Sequence, residues 1–136
     1  MVGVDTNALI YWMLSDAPPA ARDVSAKAKK RLQELYASNE PLELPYPVVI
    51  ELANILKNKL GARKATAHLN NLLLDHRFTL LSISPSNMDE ALVSSGEKGT
   101  GFTDALIRAV LKEHTVTRIL TYDSDFAKFG DVEVIQ

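Results

Sequence analysis

Residues 2–11 read VGVDTNALIY. Val2 to Val4 has the apolar, β-branched character of a short buried strand, and Leu9, Ile10, Trp12 and Met13 recur as the apolar face of a helix. A strand therefore leads directly into a helix, and a carboxylate, Asp5, stands at the joint. Asp before a helix has a ready structural role as an N-cap, its oxygen accepting from free backbone amides. Whether it has a second role depends on what else arrives at the same place.

The rest of the chain repeats the alternation. Helical spacing links Ala21, Val24, Ala28, Leu32 and Leu35 with Tyr36, then Val48, Leu52 and Ile55 with Leu56, then Ala62, Ala65, Leu69 and Leu72 with Leu73. Pro47 suits the first turn of the second of these helices, and Gly61 separates it from the third. Strand-like pieces fall at Val2 to Asp5, Leu42 to Leu44, Phe78 to Ile83, Arg118 to Thr121 and Val132 to Ile135. Strands joined by helical crossovers imply a mainly parallel sheet of about five strands covered on both faces, an α/β/α sandwich. The stretch SSGEKGTGF (94–102), with three glycines, reads as a loop before a helix beginning near Thr103. It lacks the Gly-Lys-Ser/Thr ending of a phosphate-binding loop.

The 136 residues suit one domain spanning 1–136, with 46% apolar and 24% charged residues, far from a disordered composition. A formal net charge of −2 means that any nucleic-acid binding must come from local basic patches or bound cations. The absence of cysteine excludes thiolate chemistry and fits a reducing, cytoplasmic setting. The start lacks the basic region of a signal peptide, and no run approaches a membrane span.

Further carboxylates are harder to explain than Asp5. In PVVIELANIL (47–56), Glu51 falls three residues after Val48 and four before Ile55, on or beside the stripe that packs inward. A buried, unpaired carboxylate is costly or takes up a proton. In GFTDALIRAVL (101–111), Asp104 sits in the first turn of a helix whose Leu106, Ile107, Val110 and Leu111 face the core; complementing the helix dipole is its structural role. LTYDSDF (120–126) places Asp123 and Asp125 just after a strand, where turn formation is the alternative. In an open parallel sheet all these positions can converge beyond the carboxyl ends of the strands. Two carboxylates about 5 Å apart repel by about 3 kcal/mol at an effective dielectric near 20. A divalent cation removes that conflict, and an all-oxygen donor set suits Mg²⁺ or Mn²⁺ rather than zinc. His68, His76 and His114 are scattered near helix ends and read as surface or dipole-complementing residues. Carboxylates with such an ion are suited to phosphodiester hydrolysis.

The four blocks VDTNALIYWML, PVVIELANIL, GFTDALIRAVL and ILTYDSDFAKF, in that order over nearly the whole chain, resemble those of the PIN-domain ribonucleases, most closely the VapC-like toxins of toxin–antitoxin pairs. The resemblance implies an α/β/α fold, an Mg²⁺/Mn²⁺ pocket and endonucleolytic cleavage of RNA. It places the family's acids on Asp5, Glu51, Asp104 and Asp123 as metal ligands and catalytic residues. Thr6 and Asn7 would hold the strand-to-helix turn and the neighbouring acid. It further implies a homodimer and a small antitoxin partner. The fourth block has two aspartates, and Asp123 is preferred over Asp125 because it stays tied to the strand end. Basic residues at Lys27 to Arg31 (KAKKR) and at Lys57, Lys59, Arg63 and Lys64 are candidate RNA contacts, with solvated helix surface as the alternative.

Rival readings remain at this level. A phosphatase of the haloacid dehalogenase type wants a second Asp two residues after the first, where this chain has Asn7. A receiver domain wants a phosphorylatable Asp after a central strand and a Lys after a late one, and neither is evident. A PIN-like module that binds RNA or protein without cutting, and an RNA-processing nuclease without a toxin role, both stay open.

Overall fold

The computed structural model describes residues 1–14 and 17–136. Five strands, β1 (Val2–Val4), β2 (Leu42–Pro45), β3 (Phe78–Leu81), β4 (Arg118–Leu120) and β5 (Glu133–Ile135), form one sheet in the order β3-β2-β1-β4-β5. Every pairing is parallel, with Val2 opposite Leu42 and Val4 opposite Leu120. The connections are α1 (Thr6–Met13) and α2 (Arg22–Ala37), then α3 (Tyr46–Leu60) and α4 (Ala62–Leu74), then α5 (Pro85–Lys98) and α6 (Phe102–Glu113). A 3₁₀ segment, Ser124–Phe129, joins β4 to β5.

Right-handed crossovers place α1 to α4 on one face as the chain steps outward from β1 to β3, and α5 and α6 on the other face as it returns to β4. The close approach of α6 is visible at Gly3, where a Cβ atom would stand 2.8 Å from a Leu111 methyl. Val2, Val4, Leu42 and Leu44 are fully buried in the sheet, as are Leu32 and Leu52 from one helical layer and Ile107 and Leu111 from the other. The strand order reverses between β1 and β4. Their carboxyl ends therefore form the topological switch point at which open parallel sheets open a crevice.

The expected sandwich is present, with some corrections in detail. The stretch read as a loop at residues 94–102 is helical through Lys98: α5 starts at Pro85 with a Ser84–Asn87 capping box and stops at Gly99, whose φ of 66° is the left-handed conformation of a helix end. Its periodicity was masked because α5 buries only Asn87 and Ala91, leaving Leu92 and Val93 outside. The third strand ends at Leu81 rather than Ile83. Val24 and Leu73, assigned by spacing to core stripes, are exposed. Pro47 and Gly61 occupy the helix start and the helix boundary expected of them.

Candidate metal centre

The joint at Asp5 shows both an N-cap and something more. Asp5 is 4% exposed, and its backbone N–H donates to the Leu120 carbonyl, continuing the β1–β4 ladder. One carboxylate oxygen, Oδ1, accepts from the Thr6 amide at 2.7 Å, so the first turn of α1 is capped. The other, Oδ2, accepts from the Thr121 hydroxyl at 2.7 Å. Thr121 is fully buried at the end of β4, and the same hydroxyl oxygen accepts the Asp123 amide at 3.1 Å. Asp123 in turn caps the 3₁₀ segment, its Oδ1 accepting from the Asp125 amide at 2.9 Å. A chain of hydrogen bonds thus fixes the two strand ends to each other through one threonine.

Asp104 reaches this edge from the first turn of α6, which has Gly101 as its N-cap residue and no side-chain cap. Its pKa is pushed from an ordinary 3.8 up to about 7. Burial is the largest cause, followed by the charges of Asp123 and Asp5, a hydrogen bond in which Asp123 accepts the Asp104 proton, and the charge of Glu51. Asp5 is also held above its ordinary range: burial raises it, the hydrogen bonds from Thr121 and Thr6 lower it, and the Glu51 and Asp123 charges raise it. Glu51, half-buried on α3, also stands on the wall of a groove of about 290 Å³ lined by Pro47, Ile50, Ile83 and Leu106.

Residues from β1, α3, α6 and the β4 exit, far apart in sequence, therefore act on one another as charges. Among the described residues, the group close enough to share an ion is Asp104, Asp123 and Asp125, each offering a carboxylate oxygen within 4.8 Å of the others. Asp125 is brought into this trio although it also pairs with Lys128 at 2.9 Å. Asp5 and Glu51 are electrostatic neighbours of the trio rather than members of it. The donor set fits a hard divalent cation: the donors are oxygens, they are partly withdrawn from water, and the neighbours that perturb Asp104 are themselves acids. Neutralising them would relieve the repulsion that raises Asp104.

Thr121 is a participant to which the sequence reading gave no role of its own, using the threonine two residues before the acid in TYD only to select Asp123. Thr6 holds Asp5 through its backbone amide, while its own hydroxyl is buried without a partner. Asn7 is exposed, and the second bond to Asp5 comes from Thr121. His114 sits at the end of α6 with Nδ1 2.9 Å from the Val110 carbonyl, a helix-terminal position as expected.

Among curated proteins, no sequence relative matches this chain. Several solved structures share its fold. The VapC20 toxin of Mycobacterium tuberculosis, described as cleaving the sarcin–ricin loop, is 24% identical with a TM-score of 0.71, covering 98% of each chain. FitAcB of Neisseria gonorrhoeae is 19% identical at 0.72, over 100% of this chain and 97% of the other. A toxin–antitoxin complex from Klebsiella pneumoniae is 20% identical at 0.68, with the same coverage. The profile of the PIN domain matches residues 2–132, nearly the whole of the sequence, and the chain belongs to the PIN-domain family.

Proposed function

We propose that this protein is a divalent-cation-dependent endoribonuclease acting through Asp5, Glu51, Asp104 and Asp123, and that it is the toxin of a VapBC-like toxin–antitoxin pair. The observation that carries the catalytic reading is the gathering of Asp104, Asp123 and Asp125, with carboxylate oxygens within 4.8 Å of one another, at the edge where Thr121 holds Asp5 and Asp123, a crowding whose repulsion a cation would relieve. The family membership and the toxin structures of similar fold support the assignment. Asp125, within the trio, is an additional candidate ligand.

When bound, Mg²⁺ or Mn²⁺ supplies Lewis acidity and neutralises charge on a phosphodiester. The chain's own residues do the positioning. Thr121 and the Thr6 amide hold Asp5 rigid, so its orientation is set before any substrate arrives. Asp123 is fixed by its own amide on Thr121 and by the Asp125 amide on its side chain. Asp104, with a carboxylate oxygen within 4.8 Å of those of Asp123 and Asp125, would hold the cation together with them. The groove beside Glu51, walled by Pro47, Ile50, Ile83 and Leu106, is open to an extended strand.

The assay is incubation with total RNA in Mg²⁺, in Mn²⁺ and in chelator, comparing wild type with Asp5→Asn. Cleavage only with the ions, and only by wild type, is expected. Equal cleavage by the variant overturns the assignment, and RNA binding without any cleavage favours a non-cutting module. A small antitoxin is the expected partner, and a neighbouring reading frame for a small DNA-binding protein is its genetic test. A homodimer is also expected: Leu92 and Val93 on α5 are 64% and 60% exposed, adjoining apolar side chains suited to a second copy. Sedimentation measures it directly.

A further inference from the structure

Helix α2 carries a second face besides the one that packs Ala28, Leu32 and Leu35 inward. Lys27, Lys30, Arg31 and Glu34 are spaced i, i+3, i+4 and i+7 and share one stripe. They line a surface pocket of about 360 Å³ together with Gln136. Lys29, in the same basic run, is not part of it.

The location is more telling than the charge. Gln136 immediately follows β5, and in an all-parallel sheet its end of the strand lies at the same edge as Asp5 and Asp123. Strands β4 and β5 are hydrogen-bonded neighbours, about 4.8 Å apart. Tyr122, the residue beside Asp123, is half-buried, and its hydroxyl is buried without a partner. Arg31 is itself under-partnered. Its Nε is buried with no acceptor, and its ion pair with Glu34 spans 3.5 Å between two well-exposed side chains, a contact that exchanges easily with another anion.

Three cations against one carboxylate make this a local positive site on a chain of net charge −2. A polyanion approaching the acids is repelled by them and by the whole molecule, so attraction has to be supplied close by. We infer that the Lys27–Lys30–Arg31 face of α2 is a phosphate-backbone subsite for single-stranded RNA, holding the strand one strand-width to the β5 side of the acid cluster. This inference rests on the ribonuclease reading. Its ligand is the sugar–phosphate backbone, so it contributes affinity and register with little base preference.

The test uses a fluorescein-labelled, mixed-sequence single-stranded RNA and the full chain. In chelator, where nothing is cut, the Lys27→Gln/Lys30→Gln double variant should bind about tenfold more weakly than wild type, and the slope of log affinity against log salt should fall by about 1.4, the loss of two single-strand phosphate contacts. Lys112→Gln, in the last turn of α6 and outside both basic clusters, is the charge control and should bind like wild type; thermal melting establishes that both variants are folded. Unchanged affinity in the first variant, or equal loss in both, overturns the subsite and leaves an acidic polypeptide as the pocket's alternative occupant. Wild type that binds no RNA overturns it as well. Cleavage with Mn²⁺ is read separately: selective binding loss without cleavage by wild type supports the subsite while refuting the nuclease, and cleavage with no selective binding loss does the reverse.

Discussion

Thr121 and Asp5 meet across 2.7 Å at the junction of two parallel strands, the hydroxyl donating to a carboxylate that is 4% exposed. This contact joins residues 116 positions apart and holds the carboxyl ends of β1 and β4 in register. Because Thr121 also accepts the Asp123 amide, it orients two acids at once.

Thr121→Val keeps the shape of the side chain and removes the hydroxyl. Asp5 Oδ2 and the Asp123 amide then both lose their partners, at a cost of about 1–3 kcal/mol. Urea denaturation should show the loss, and Thr121→Ser should recover most of it. A valine variant as stable as wild type would remove Thr121 from the account.

Asp104 makes the metal-free protein sensitive to pH in a defined direction. Its folded-state pKa, about 7, lies above the ordinary 3.8, so the folded chain holds this proton more tightly than the unfolded one. Stability contributed by the protonated group is complete below the lower value and is lost as pH rises through the upper. Urea midpoints in chelator, compared between wild type and Asp104→Asn, should diverge across that window, with wild type falling relative to the variant. A difference independent of pH contradicts the crowding of acids.

Mn²⁺ should reverse the penalty. A ligand specific for the native state adds about 2.7 kcal/mol at a hundredfold excess over its dissociation constant. Thermal midpoints should rise for wild type and much less for Asp104→Asn, which keeps the size of the residue but removes the charge. Equal shifts in the two proteins would place the ion elsewhere.

The two aspartates after β4 can be separated. Asp123 is tied to Thr121 and perturbs both Asp5 and Asp104, whereas Asp125 spends part of its charge on Lys128. Asp123→Asn should weaken Mn²⁺ affinity by about tenfold or more, and Asp125→Asn by less than that. Calorimetry decides the order; a reversed order makes Asp125 the principal ligand, and equal severe losses mean that both serve the ion.

Arg108 has a structural task nearby. It is 9% exposed, bonds Glu90 at 2.7 Å and also bonds Asp131, and its guanidinium lies 5.6 Å from the Phe129 ring centroid. It thereby connects α5, α6 and the segment that follows Asp123. Arg108→Ala should cost about 1–3 kcal/mol. Arg108→Lys should restore only part, since an ammonium lacks the fork that engages two carboxylates. Full recovery by lysine in a denaturation series would show that only the charge matters.

Much of this architecture was legible because strong alternation leaves few choices: VGV, the Val48–Leu52–Leu56 stripe and the Leu106–Leu111 run each announce an element and its buried face. α5 escaped because its inward side is small and polar, with Asn87 serving as part of a capping box rather than as core. That Asp5 and Asp123 leave neighbouring parallel strands at one edge of the sheet was legible in the strand pattern. The approach of Asp125 to Asp104 was not, because it depends on how tightly the 3₁₀ segment winds after Asp123. Nor does the basic run KAKKR reveal which members share a pocket; that follows from the phase of α2 against β5.

RNA cleavage by this protein should follow occupancy of the acid cluster by a divalent cation, and one titration reads both. RNA cleavage and Mn²⁺ binding should be measured on the same samples of wild type, Asp5→Asn and Asp104→Asn as Mn²⁺ is raised from chelator-bound zero. Wild-type cleavage should rise in step with occupancy of the site, while Asp104→Asn loses binding and cleavage together and both variants retain native circular dichroism. Cleavage that persists in either variant at the wild-type rate, or that saturates while the site is still empty, would contradict the account.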